Sequence, residues 1–262
     1  MNLRAALIPV KPLHRAKDRL RPALGRRARL ALTRAMLRDV LAVLLESDLF
    51  VSVTVVTRDR SLRHLCRRMG VHTVQPPPGV RGLNAELAWA VARPEIAQAD
   101  RLLVIPGDVP GVRVSELFRL VLPPMPGERA GRPTAGGGEV TAGARTDAHP
   151  GAPNGRGVRL VQSQDGGTNA LVMAPPGAIP FRFGPGSAAR HRRQAERRGL
   201  PVESVPLPSL ATDIDRPEDL RAAGRSVGPR THRILAAFQD GHLPYRKRRP
   251  RRRSARHPHD TA

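Results

Sequence analysis

The feature that most constrains this chain is an alternation of short apolar runs with longer segments of helical spacing through its N-terminal half. Val51–Thr57 reads Val-Ser-Val-Thr-Val-Val-Thr, a β-branched strand, and Ala5–Val10 and Arg101–Pro106 are short apolar runs of the same kind. Between the first two lies Arg26–Glu46, where Leu30, Met36, Leu37, Val40, Leu41, Leu44 and Leu45 recur at helical spacing over a length no strand reaches. Arg60–Met69 is a helix closed by Gly70, Val71–Gln75 a strand, and Asn84–Arg93 and Val114–Leu122 are helices. Strand and helix in strict turn predict a doubly wound α/β fold with a mostly parallel sheet. In such folds ligands bind beyond the carboxyl ends of the strands, so the residues that follow each apolar run are the ones to inspect.

The alternation breaks at Pro123. From there to Arg156 the chain is rich in Gly, Pro, Ala and Thr without apolar periodicity, which predicts a disordered insertion at about 123–157. Order resumes in Val158–Gln162, Asn169–Met173 and Val202–Val205, then in Asp213–Leu220, which reads as a helix start with Pro217 in its first turn. One catalytic domain is expected over 1–222, followed by a C-terminal extension over 223–262 with a short helix at Thr231–Phe238 and a disordered basic tail.

Composition excludes several classes. No apolar run is long enough to cross a membrane, and the N-terminus lacks a signal-peptide pattern. The lone cysteine, Cys66, sits in a helical pattern as a small apolar residue, so a cytoplasmic protein is expected. The net charge of +23 invites a nucleic-acid reading, yet Pro244–Ala262 alone carries +7 and aromatics make up only 3%. No stacking platform, helix-turn-helix or zinc spacing accompanies the charge, and a solvated tail is the better account.

Five segments carry candidate chemistry. The loop after the first strand holds Lys11, Lys17 and Arg19, cations placed to neutralise a triphosphate at the sheet edge. Asp108 follows the strand that ends Ile105-Pro106-Gly107, and Asp213 and Asp215 precede the late helix. Carboxylates from separate strand ends are how Mg2+ is commonly held beside phosphates, with one of the latter two expected to be only a helix cap. Asp165-Gly166-Gly167-Thr168 is a glycine turn that offers a hydroxyl. Phe181-Arg182-Phe183-Gly184-Pro185-Gly186-Ser187 runs into a helical pattern, with Ser187 as its N-cap and the first-turn amides as an anion seat.

Taken together, several motifs resemble the phospholactate/phosphoenolpyruvate guanylyltransferase family of coenzyme F-420 biosynthesis. These are Ile8-Pro9-Val10-Lys11-Pro12-Leu13, Ala16-Lys17-x-Arg19-Leu20, Met36–Leu41, Gly82-Leu83-Asn84, Pro106–Pro110, Gly167–Leu171, Phe181–Ser187 and Asp213–Leu220. The resemblance implies a Rossmann-like nucleotidyltransferase fold of the GT-A type. It also implies a reaction that joins GTP to a phosphorylated three-carbon acid, releases pyrophosphate and uses Mg2+. Carried over position by position, Lys11, Lys17 and Arg19 would lie on the GTP phosphates, with Lys11, Lys17 and Asp108 catalytic. Gly82, Leu83 and Asn84 would seat the nucleoside, Asp108 with Asp213 or Asp215 would hold Mg2+, and Thr168, Gly184 and Ser187 would bind the acid. A downstream transferase of the same pathway is a candidate partner. The sequence departs from the family at Asp18, where a small hydroxyl residue is usual, and at Gly107 and Gly111, where alanine and leucine are usual. The arginine- and alanine-heavy composition resembles the actinobacterial branch, which favours phosphoenolpyruvate as the acid. The rivals are another nucleotidyltransferase of this fold with a different acceptor, and a nucleic-acid-binding protein that uses the tail.

Overall fold

The computed structural model describes residues 3–122, 155–211, 213–224 and 226–239. Its centre is a seven-stranded sheet in the order β3-β2-β1-β4-β6-β5-β7. The strands are β1 (Arg4–Pro9), β2 (Ser52–Val56), β3 (His72–Val74), β4 (Arg101–Val104), β5 (Gly157–Gln162), β6 (Thr168–Ala174) and β7 (Val202–Ser204). Strands β1 to β4 are mutually parallel where they pair, β6 runs antiparallel to both its neighbours, and β5 pairs parallel with β7. The sheet is therefore mostly parallel with one reversed strand, as the alternating first half requires.

Period-two burial assigns each strand residue to one of two cores. Ala6, Ile8, Val53, Val55, Leu103 and Ile105 face one side, where α1 (Arg26–Glu46), α2 (Arg60–Arg68) and α5 (Val114–Val121) cover them. Ala5, Leu7, Val56, Leu102 and Val104 face the other, beneath α3 (Leu83–Val91), α4 (Pro94–Ala97) and α6 (Ser187–Glu196). Helix α2 shows why the sequence forms these elements: Asp59 accepts hydrogen bonds from the Ser61 and Leu62 amides at its start. Arg67 and Arg68 occupy its last turn, where the helix dipole favours cations, and Leu62 and Cys66 form its buried stripe.

A third cluster lies outside the first. Leu20, Leu24, Leu32 and Met36 pack there with Ile214, Leu220 and Leu235, which gathers the loop after β1, the turn around Ile214, α7 (Asp219–Ala222) and α8 (Pro229–Gln239) onto the outer face of α1. The buried Asp39 of α1 accepts hydrogen bonds from the Arg230 and Thr231 amides, so it caps α8 from a distant part of the chain. Past the boundary expected at residue 222, the short helix expected at Thr231–Phe238 spans Pro229–Gln239 and packs on this cluster. The expected insertion narrows at its far end, because Gly157 opens β5. The remainder of that segment and the basic tail lie outside the described residues. Among the described residues, no helix is long and apolar enough to cross a membrane.

Candidate active site

Register shows which residues share the ligand-binding edge. Leu7 of β1 is level with Val104 of β4, so the segments after them, with Lys11 and Asp108, leave the sheet side by side. Val104 is also level with Leu171 of the reversed strand β6, which brings Thr168, at the start of β6, to the same edge. The chain after β7 arrives there as well, where the Asn169 amide donates to the Leu210 carbonyl at 2.8 Å.

The loop after β1 winds through two 3-10 turns, Leu13–Arg15 and Asp18–Leu20, and is pinned by Asp59, whose second oxygen accepts the Leu13 amide at 2.8 Å. Between the turns Lys17 adopts φ 54° and ψ 41°, the left-handed region. This conformation turns its side chain inward: Lys17 is 7% exposed and its Nζ lies 2.7 Å from Asp108 Oδ2 and 3.7 Å from Asp215 Oδ1. Arg19, largely exposed, reaches the other oxygen of Asp215 at 2.9 Å. The buried Ile214 anchors the third-cluster side of this turn, with the two aspartates flanking it. Asp18, one of the departures from the family, pairs locally with Arg21 at 3.0 Å.

The charges settle as this geometry demands. Burial alone would discharge Lys17, but Asp108, with help from Asp215 and Asp213, raises its pKa, so it stays an ammonium. Burial opposes ionisation of Asp108 too, and Lys17 and then Lys11 overcome it and lower its pKa. Asp213 finds no such compensation. Burial first, and then the Asp108 charge, push its carboxyl up to about 6 despite Lys17. Three carboxylates thus converge on one buried ammonium. Neither Asp213 nor Asp215 caps a helix side-chain-first as expected. The carboxylate that closes this turn belongs to Asp219, which accepts the Asp215 and Arg216 amides at 2.9 and 2.6 Å.

The second half of the edge centres on Thr168. A β-bulge between Val161 and Gln162 pairs Gln162 with Thr168 and skips Asn169. In a regular strand Thr168 would share the α1 side of the sheet with Ala170 and Val172. The bulge turns it to the α6 side instead, where its hydroxyl receives a hydrogen bond from Ser187 at 3.0 Å and lies 3.1 Å from His191 Nδ1. Ser187 is not the N-cap. Gly186, in the left-handed conformation, holds that position, and Ser187 is the first residue of α6, 1% exposed. The open anion seat expected at this helix end is corrected as well. The amides of Ser187, Ala188 and Arg190 donate to the carbonyls of Gly184, Gly166 and Gly186. Gly184 itself is exposed at φ 124°, and a Cβ there would fall 3.3 Å from the Arg190 guanidinium, which donates to the Arg182 carbonyl.

Asn84 joins the two halves differently from the expectation that it seats a nucleoside. Its Oδ1 accepts the Phe183 amide at 2.7 Å and its Nδ2 donates to the Phe183 carbonyl at 3.2 Å, so it clamps the loop before Ser187 to the start of α3. Gly82 sits at the N-cap of that helix with φ 90°, and Leu83 packs partly into the α6-side core.

Comparison with known proteins gives this edge its context. The family model described as guanylyl transferase CofC like matches residues 4–138. The chain is 33% identical over 215 residues to a phosphoenolpyruvate guanylyltransferase from Roseiflexus castenholzii, covering 82% of this chain and 85% of that one. It is 34% identical over 227 residues to one from Rubrobacter xylanophilus, covering 85% and 94%. The chain belongs to the CofC-like guanylyl transferase family.

The fold of this family member is shared more widely. A Desulfovibrio desulfuricans G20 protein assigned as a nucleotide-diphospho-sugar transferase superposes with a TM-score of 0.62 at 15% identity, over 92% of this chain and 96% of that one. A nucleotidyl transferase from Methanothermobacter does so with 0.53 at 16%, over 92% and 99%. The chain is thus a nucleotidyltransferase in family and in fold. Three roles in this guanylyl transferase are not legible in its sequence. Asp59 was legible as a cap but not as the anchor of Leu13. Asn84 gave no signal of its clamp. His191 stands in a stripe with Ala188 and Ala195, spacing that marks it as buried.

Proposed function

We propose that this protein transfers the guanylyl group of GTP to a phosphate oxygen of phosphoenolpyruvate and releases pyrophosphate, forming the activated precursor used in coenzyme F-420 biosynthesis in the cytoplasm. The observation that carries this reading is the Lys17–Asp108–Asp215 cluster at the carboxyl edge of the sheet, with the Thr168–Ser187 hydroxyl pair on that same edge. Lys11, Lys17 and Arg19 then face the triphosphate, and Gly82 and Leu83 border the nucleoside. The acid lies against Thr168, Gly184 and Ser187.

The carboxylates fit a divalent cation. Their donors are hard oxygens, and Asp213, pushed up to about 6 by burial first and then by the Asp108 charge, stands beside a second carboxylate that Lys17 only partly offsets. Among the described residues no group of three or more His, Cys, Asp or Glu is gathered as a full ligand cage. Mg2+ commonly takes one or two carboxylates and completes its shell with water and phosphate. Asp108 with Asp213 or Asp215 would hold it. When bound it supplies charge neutralisation at the transferring phosphate.

The acid's phosphate oxygen is already a nucleophile at neutral pH, so in-line attack on the α-phosphorus needs no general base. What the chain supplies is placement and countercharge. Lys17, kept as an ammonium at this edge, would meet the negative charge that develops on the leaving pyrophosphate. The test is a pyrophosphate-release assay with Mg2+, in which GTP is paired in turn with phosphoenolpyruvate, 2-phospho-L-lactate and 3-phosphoglycerate, and GTP is then replaced by CTP and ATP. Turnover with GTP and phosphoenolpyruvate well above every other pair is expected. Preference for CTP, or no turnover with any of the three acids, overturns the reading.

A further inference from the structure

We infer that His191 is a positioning residue of the acceptor pocket, which makes the Thr168 hydroxyl a donor only and so tunes that contact to an anionic oxygen of the acid. The inference rests on the placement of the acid against Thr168 proposed above.

The argument is one of proton accounting. The Arg182 amide donates to His191 Nε2 at 2.9 Å, so that nitrogen presents its lone pair. A neutral imidazole then carries its proton on Nδ1. Nδ1 lies 3.1 Å from Thr168 Oγ1 and therefore donates to it. Ser187 Oγ donates to the same oxygen at 3.0 Å. A hydroxyl oxygen has two lone pairs and one proton. Both lone pairs of Thr168 are taken, and only its proton remains to meet a ligand. A carboxylate or phosphoryl oxygen makes a charge-assisted bond with that proton, whereas an amine or amide N–H finds no acceptor.

The frame that fixes this direction is rigid. His191 is fully buried, and the edge of its ring meets Phe183 at a centroid distance of 4.9 Å. The Phe183 backbone is in turn clamped by Asn84. Burial, reinforced by the Arg190 charge, lowers the imidazole pKa to about 4, so the ring is neutral at pH 7. A proton on Nε2 would confront the Arg182 amide and dismantle the arrangement.

The test begins with the unaltered protein. In 15N-histidine-labelled enzyme at pH 7, His191 should show the Nδ1–H tautomer, and an Nε2–H tautomer or an imidazolium overturns the proposal. Kinetics supply the second arm, in pyrophosphate-release assays that vary phosphoenolpyruvate and GTP separately. His191→Gln, which cannot donate from the Nδ1 position, should raise the KM for phosphoenolpyruvate about tenfold and leave the KM for GTP within about twofold. His191→Asn, whose amide nitrogen stands near Nδ1, should recover most of that loss. Thr168→Val should raise the same KM, and the Thr168→Val/His191→Gln double variant should be no worse than Thr168→Val alone. Additive effects beside an acid-specific Thr168→Val defect overturn the role of His191 and leave the pocket standing. An unchanged acid KM in Thr168→Val overturns the placement of the acid and this inference with it.

Discussion

At Lys17 two unfavourable conditions coincide: a left-handed backbone on a residue with a Cβ, and an ammonium almost removed from water. The conformation alone costs on the order of 1–2 kcal/mol. Both are tolerated because Asp108 and Asp215 stand opposite, and the strain marks a position where charge placement outweighs stability. Loss of either member of the closest pair should therefore act on turnover. Lys17→Met or Asp108→Asn is expected to lower the rate of pyrophosphate release by about 10²-fold or more, measured at saturating GTP and phosphoenolpyruvate on protein whose far-UV spectrum is unchanged. Activity near that of the unaltered enzyme in Asp108→Asn would remove Asp108 from the machinery. His191 gives the residue scale its pH dependence. Its pKa is about 4 in the fold against 6.5 for an unburied imidazole, so the unfolded chain takes up the proton first as pH falls. The stabilisation is complete above pH 6.5 and is lost on the way down to 4. It should amount to about 2 kcal/mol between pH 7.5 and pH 5. Urea unfolding at the two pH values should show this loss in the unaltered protein and a smaller one in His191→Gln; equal losses would show that His191 is not its source.

At the scale of elements, the strands and long helices were legible because each repeats one physical signal many times. Helix α1 begins and ends at the residues its apolar spacing marks, Arg26 and Glu46. The site was legible only in part, since a motif gives an address and not an orientation. The glycine turn is legible, but Thr168 follows it as the first residue of β6, and the bulge at Val161 and Gln162 decides which face its hydroxyl meets. Nothing in the local sequence encodes that choice, because the skipped residue is defined by pairing with another strand. Ser187 illustrates the same limit. A serine after glycine is a good cap by type, but Gly186 takes the left-handed cap geometry and Ser187 turns its hydroxyl to Thr168. Asn84 turns this limit into a measurable choice. If its amide seats the nucleoside, Asn84→Ala should raise the KM for GTP. The paired bonds to Phe183 instead commit that amide to the loop on the acid side. Asn84→Ala should accordingly raise the KM for phosphoenolpyruvate more than that for GTP. It should also destabilise the fold by about 1–3 kcal/mol, because the Phe183 amide loses its acceptor.

The whole molecule shows why the walls of the charged cluster stay together. Lys17 and Asp215 are far apart in sequence, and the largely exposed Arg19–Asp215 pair would contribute little to holding their loops in register. The apolar cluster behind them does, with Leu20 from the first loop and Ile214 from the second both buried against α1. Helix α8 completes that cluster with Leu235 and is fixed in place by Asp39 at its N-terminus. Close packing at Gly228 reinforces this, since a Cβ there would fall 2.5 Å from Asp39. A segment that composition marked as an extension is thus part of the support for the active edge. Two truncations separate support from tail. A chain ending at residue 243 lacks the whole basic tail and keeps α8, so its turnover and melting temperature should match those of the full chain. A chain ending at residue 222 exposes Leu32 and Met36, each worth about 1.5–3 kcal/mol when fully buried. It should melt at a markedly lower temperature, and its turnover should fall because Lys17 and Asp215 are no longer held in apposition. Equal activity in the two truncations would mean that the loops find their register without α8. Loss of activity already at residue 243 would instead assign catalysis a need for the tail's charge.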